Sequence, residues 1–203
     1  MKSTTPYHLL LDMSGSMASA RQVTLESVNS QMMAIRKTQE SHPEQEIKVS
    51  FYTFNSTIYP VFQGLQPHQL PQLNTSQYSP DGCTALLDAI GLSITQIENS
   101  IQATDDVVIV IITDGEENAS QGYNFKQIAD KIAMLKKSER WVFSFLGAEI
   151  DAWQIAQQLN INREEVRNYS KENTKGTFEE INHLMEEYII AKKNGLRKKG
   201  FMG

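Results

Sequence analysis

Five oxygen-bearing side chains stand at turns of this chain: Asp12, Ser14, Ser16, Thr84 and Asp114. The first three form the stretch Asp12-Met13-Ser14-Gly15-Ser16. Thr84 closes Gly82-Cys83-Thr84, and Asp114 is central to Thr113-Asp114-Gly115. Two carboxylates and three hydroxyls, with no histidine or thiolate among them, make a donor set for a hard cation. Mg²⁺ suits it best, and Mn²⁺ or Ca²⁺ can use the same oxygens. Ser14 and Ser16 alternate along an extended turn, so both hydroxyls can face one ion, and Gly15 gives the turn room. Such a set leaves part of the ion's coordination shell open to an outside ligand.

The elements needed to bring these turns together are legible in the patterning. Tyr7–Leu11 is a short apolar run ending at Asp12, and Val107–Ile112 is β-branched throughout and ends at Thr113-Asp114. Both read as buried strands, the second as a central one with both faces covered. Leu25, Val28, Met32 and Ile35 recur at helical spacing after the first turn. Leu87, Ile90, Ile94, Ile97 and Ile101 do so after Thr84. Ile47–Phe54 and Thr57–Phe62 read as a hairpin, with Pro60 placing the second strand at a sheet edge. The polar stretch from Gln66 to Asp81 reads as a loop with one helical turn at most. Further on come a helix through Phe125, Ile128, Ile132 and Leu135, and a strand over Trp141–Leu146. Then follow a short helix over Trp153–Leu159, a short strand over Val166–Tyr169, and a closing helix through Phe178, Ile181, Met185 and Tyr188. Alternating strands and helices predict an α/β fold: a doubly wound, mostly parallel sheet of about six strands with one antiparallel edge. Right-handed crossovers put the turns after each strand on one rim, where ligands of such sheets bind.

With the five positions in this order and setting, the chain resembles the von Willebrand factor type A (VWA) domains, which include the integrin I domains. Their metal-ion-dependent adhesion site (MIDAS) is Asp-x-Ser-x-Ser plus a distant Thr and a distant Asp, matched here by Asp12, Ser14, Ser16, Thr84 and Asp114. The likeness covers nearly the whole chain. It implies a Rossmann-like fold and one divalent cation, bound directly by Ser14 and Ser16. Thr84, Asp12 and Asp114 then bind directly or through water. It further implies a protein partner whose Glu or Asp completes the shell, and a stand-alone bacterial or phage type acting as an adaptor rather than an enzyme.

Composition bounds the rest. The 203 residues suit one domain, expected over 1–191, with 192–203 as a basic tail carrying Lys192, Lys193, Arg197, Lys198 and Lys199. A single cysteine, Cys83, allows no internal disulfide and suits a reducing cytoplasm. No histidine is near it in sequence to activate it, so it reads as a small packing residue. The first residues lack an apolar leader, and no run approaches the roughly 20 apolar residues of a membrane helix. The net charge of −5 argues against general nucleic-acid binding. Glu116, Glu117 and Asn118 read as solvated loop residues, and Asp88 as a helix-dipole partner or a support for Thr84. The competing function is a Mg²⁺-dependent phosphohydrolase with Asp12 as nucleophile. Against it, the motif offers no lysine for a phosphoryl group and no second carboxylate at short spacing.

Overall fold

The computed structural model describes residues 4–148 and 150–196. Its central strands are the two apolar runs that carry the aspartates. β1 (Thr4–Asp12) and β4 (Val107–Thr113) lie side by side in parallel, every residue buried. β2 (Glu46–Phe54), β3 (Ile58–Leu65), β5 (Trp141–Ala148) and β6 (Val166–Tyr169) complete a six-stranded sheet of order β3-β2-β1-β4-β5-β6. Only β3 runs antiparallel. It lies at the edge, where Pro60 opposes Tyr52 and the missing N–H costs no ladder bond to a further strand.

Side chains alternate across the sheet with the strand period of two. Tyr7, Leu9, Leu11, Val108, Val110 and Ile112 face one layer, formed by α1 (Arg21–Ser41) and α5 (Thr174–Lys193). Leu10, Ile109 and Ile111 face the other, formed by α2 (Leu86–Glu98), α3 (Phe125–Lys136) and α4 (Ala152–Gln158). Each fully buried aliphatic side chain contributes roughly 1.5–3 kcal/mol. These two layers, rather than the polar rim, therefore hold the fold. Among the described residues no helix is long and apolar enough to cross a membrane.

Some details differ from the sequence reading. A 3₁₀ turn over Gly15–Ala20 precedes α1, and β3 extends to Leu65. Ile101 lies beyond α2, which stops at Glu98; the Ser100 hydroxyl then bonds the Ile97 carbonyl. The basic tail was expected from 192, but α5 continues to Lys193. Lys192 is no solvated tail residue: it donates to Thr4 O (3.1 Å) and Thr5 Oγ1 (2.6 Å). Burial lowers its pKa, and Asp106 opposes that shift. Arg197, Lys198 and Lys199 lie outside the described residues.

Candidate metal centre

The order reverses between β1 and β4, so the crevice at their carboxyl ends is the switch point of the sheet. Register does the first part of the positioning. Leu11 pairs with Ile112, which brings Asp12 and Thr113, one step further along, to the same rim. There the Thr113 hydroxyl donates to Asp12 Oδ2 (2.5 Å), while Ser14 N–H donates to Asp12 Oδ1 (2.7 Å). Asp12 is fully buried with both oxygens engaged. Desolvation pushes its carboxyl above the usual range; the bonds from Thr113 and Ser14 oppose this, and the nearby Asp114 charge adds to it.

The serines continue the chain of contacts. Ser14 Oγ lies 3.0 Å from Ser16 Oγ, and the Ser16 hydroxyl donates to Asp114 Oδ1 (2.6 Å). Ser14 and Asp114 are buried, whereas Ser16 is exposed and marks where the cluster opens to solvent. Thr84 joins on the Asp12 side across Gly115. A Cβ at Gly115 would stand 2.6 Å from Thr84 Oγ1 and 3.5 Å from Asp12 Oδ2. A side chain there would crowd the Thr84 hydroxyl, whereas the Asp12 carboxylate would remain at ordinary contact distance. At Gly15 a Cβ would meet only ordinary contacts, so the glycine expected to permit the turn is not sterically demanded. The left-handed residue of the rim is instead Gly82, at φ +77°.

All five sequence-chosen residues thus meet at one rim. The donors fit a hard divalent ion in kind, being hydroxyl and carboxylate oxygens only. Among the described residues no three His, Cys, Asp or Glu side chains group to hold a metal, because three of these five donors are hydroxyls.

Neither serine nor Thr84 caps a helix through its side chain, although Ser14 stands at the N-cap position of the 3₁₀ turn. The residue before α2 is Ala85, with no side-chain cap, and the exposed Ser16 hydroxyl is turned to Asp114. The work of capping falls to the loop after β4. Glu117 Oε2 accepts from Leu87 N–H (2.9 Å), and Asn118 Oδ1 accepts from Thr84 N–H (2.9 Å). Asp88 in turn accepts from the backbone N–H groups of Gln121, Gly122 and Tyr123. Glu117 and Asn118 are therefore structural ties rather than free loop residues, and Asp88 clamps the loop rather than supporting Thr84 directly. Cys83 is exposed instead of packed, its N–H 3.3 Å from Ser56 Oγ.

Three further residues shape the rim without any local sequence signal. The Tyr78 hydroxyl, buried, donates to the Asp12 carbonyl (3.0 Å) from the long loop. Arg21 ties that loop down through Tyr78 O and Thr75 O. Lys171, in a 3₁₀ turn before α5, places its ammonium 2.7 Å from Asp114 Oδ2 and 3.0 Å from the Ser16 carbonyl.

Comparison with known proteins places the fold. The model of the von Willebrand factor type A domain matches residues 8–187. Proximal thread matrix protein 1 from the mussel byssus, solved with a zinc-occupied MIDAS motif, is similar at TM-score 0.62 and 14% identity, covering 91% of this chain and 46% of that one. The ArnB paralog VWA2 from Sulfolobus acidocaldarius is similar at TM-score 0.61 and 15% identity, covering 88% of this chain and 45% of that one. The pilus adhesin SpaC from Lactobacillus rhamnosus GG, in its open conformation, has TM-score 0.67 and 13% identity, covering 94% of this chain and 30% of that one. This chain spans less than half the length of each, and at these identities the likeness is one of fold. No curated protein matches it in sequence. With the family model matching most of its length, and a sheet of the same kind, the chain belongs to the von Willebrand factor type A domain family.

Proposed function

We propose that the chain is a metal-dependent protein-binding module. Asp12, Ser14, Ser16, Thr84 and Asp114 hold one divalent cation, Mg²⁺ first, with Mn²⁺ or Ca²⁺ as substitutes. A partner's Glu or Asp completes the shell. The observation that carries this reading is the hydrogen-bonded run Asp12–Ser14–Ser16–Asp114, which emerges from the buried switch point at the exposed Ser16. Buried groups hold the ion in place, and the open side leaves a directional position for an incoming carboxylate. The zinc in the mussel protein's MIDAS supports a divalent cation at this rim of the fold.

The module acts as an adaptor of bacterial or phage type in the cytoplasm, and chemistry belongs to its partners. The phosphohydrolase reading loses ground on geometry: Asp12 has no exposed surface from which to attack a substrate, and the exposed donor of the cluster is Ser16. Titration calorimetry with Mg²⁺ and Mn²⁺ tests the metal, comparing the natural chain with Asp12→Ala/Ser14→Ala. The natural chain binds one ion and the variant loses at least about a hundredfold in affinity; equal heats from both refute the assignment. A pull-down from the native cell, with and without chelator, then tests whether the partner needs the ion.

A further inference from the structure

We propose that Lys171 is a tethered competitor of the metal: its ammonium neutralises Asp114 in the metal-free protein, and a divalent cation has to displace it. The inference rests on the metal-site reading above and adds a residue that the five-residue motif does not contain.

The geometry is specific. Lys171 Nζ stands 2.7 Å from Asp114 Oδ2, whose carboxylate has no exposed side-chain surface, and the lysine side chain is itself 18% exposed. The same ammonium reaches the Ser16 carbonyl at 3.0 Å. It therefore holds the motif's first loop, through Ser16, and its last loop, through Asp114. Asp114's other oxygen already accepts from Ser16. In this arrangement Asp114 presents its charge to a lysine, so a metal at the serines meets one carboxylate already compensated and a positive charge close by. Both effects weaken cation binding, and both act over short distance at a partly desolvated site, where charges interact strongly.

Displacement has a structural consequence, because Lys171 is anchored to a helix. It begins the 3₁₀ turn Lys171–Asn173, and its carbonyl accepts from the Thr174 hydroxyl (2.7 Å) at the first residue of α5. While the ammonium sits on Asp114, the start of α5 is pinned to the rim. Once a divalent ion takes Asp114, that pin is released, and the turn over 171–173 loses its tie to the Ser16 loop. The lysine thus sets metal loading against its own tie between the entry to α5 and the rim.

The test uses Mn²⁺ alone as the probe, on the full chain. Titration calorimetry compares the natural chain, Lys171→Met and Lys171→Arg. Removing the charge tightens Mn²⁺ binding by about tenfold or more, while the arginine variant stays near the natural value. Backbone amide exchange of the natural chain gives a second readout that needs no variant: exchange over 171–176 quickens when Mn²⁺ is added. Equal or weaker binding by Lys171→Met, or unchanged or slowed exchange over 171–176, overturns the proposal while leaving the metal site intact. Absence of Mn²⁺ binding in both the natural chain and Lys171→Met overturns the metal-site reading and this inference together.

Discussion

The two rims of the sheet treat acidic side chains in opposite ways. At the rim where β4 begins, Asp106 meets two cations, Arg140 at 3.2 Å and Lys192 at 3.1 Å. Asp105 beside it accepts from the N–H groups of Thr4 and Gln102. At the rim where β4 ends, Asp12 and Asp114 are buried among hydroxyls, and Lys171 is the cation in contact with Asp114. The first rim balances its charges and ties α5 to β1. The second keeps two buried carboxylates against one ammonium. A buried charge without a full partner is costly, and on the proposed reading a divalent cation takes the ammonium's place and offsets both carboxylates. Lys171, in the turn just before α5, and Lys192, near its end, each carry a cation to one of the two rims.

The largest expected effect concerns His8, midway along β1 between the rims. Both its ring nitrogens are buried without a hydrogen-bond partner among the described residues, and burial lowers its pKa to about 3. The folded chain keeps this imidazole neutral, while the unfolded chain takes up a proton below its ordinary value near 6.5. Stability from this residue is therefore complete above that pH and falls as pH drops toward 3, by about 1.4 kcal/mol per unit and of order 4 kcal/mol in all. Denaturant unfolding between pH 7 and 4 measures it. His8→Phe keeps the ring against Tyr52 and flattens the difference; an unchanged slope removes this account of His8.

Next in size is the balanced rim. Asp106→Asn leaves Lys192 and Arg140 half-buried without their shared carboxylate and costs about 2 kcal/mol, lowering Tm by roughly 4–8 °C. Mn²⁺ affinity stays unchanged, since the substitution is at the far end of β4. Loss of metal binding in this variant would mean that the two rims are coupled.

The smallest stability change has the opposite sign. Asp12 titrates above its unfolded value because burial penalises its charge. The ionised group therefore destabilises the metal-free fold at neutral pH, and the penalty disappears as acid protonates it. Asp12→Asn, which can still accept from Ser14 N–H, raises metal-free stability by about 1 kcal/mol, or roughly 2–4 °C in Tm, while abolishing cation binding. A lower Tm without metal would show that this carboxylate serves the fold rather than a ligand.

The fold was readable because its signals are local. The β-branched run of β4 and the three-four spacing in α2 each declare an element, and Pro60 declares an edge. The rule that strand-end turns share a rim then groups Asp12, Ser14, Ser16, Thr84 and Asp114 before any coordinate is known. What escaped depends on long-range geometry. Lys171 lies 57 residues beyond Asp114 in sequence with no motif around it, and only the placement of α5 carries it to the site. Tyr78 sits in a polar loop whose path no periodicity reveals. Glu117 looked like loop charge because nothing in its neighbours tells that Leu87 N–H needs an acceptor there. In sequence Lys192 groups with the basic residues that follow it, whereas it lies within α5 and meets Asp106 there.

The most direct measurement of the central claim is anomalous diffraction from crystals of the natural chain soaked in Mn²⁺. The account predicts one peak at the β1–β4 rim, roughly 2–2.3 Å from both Ser14 Oγ and Ser16 Oγ, with Thr84, Asp12 and Asp114 bound directly or through one water. A peak elsewhere, or no peak at Mn²⁺ concentrations that saturate other oxygen-ligand sites, would contradict it.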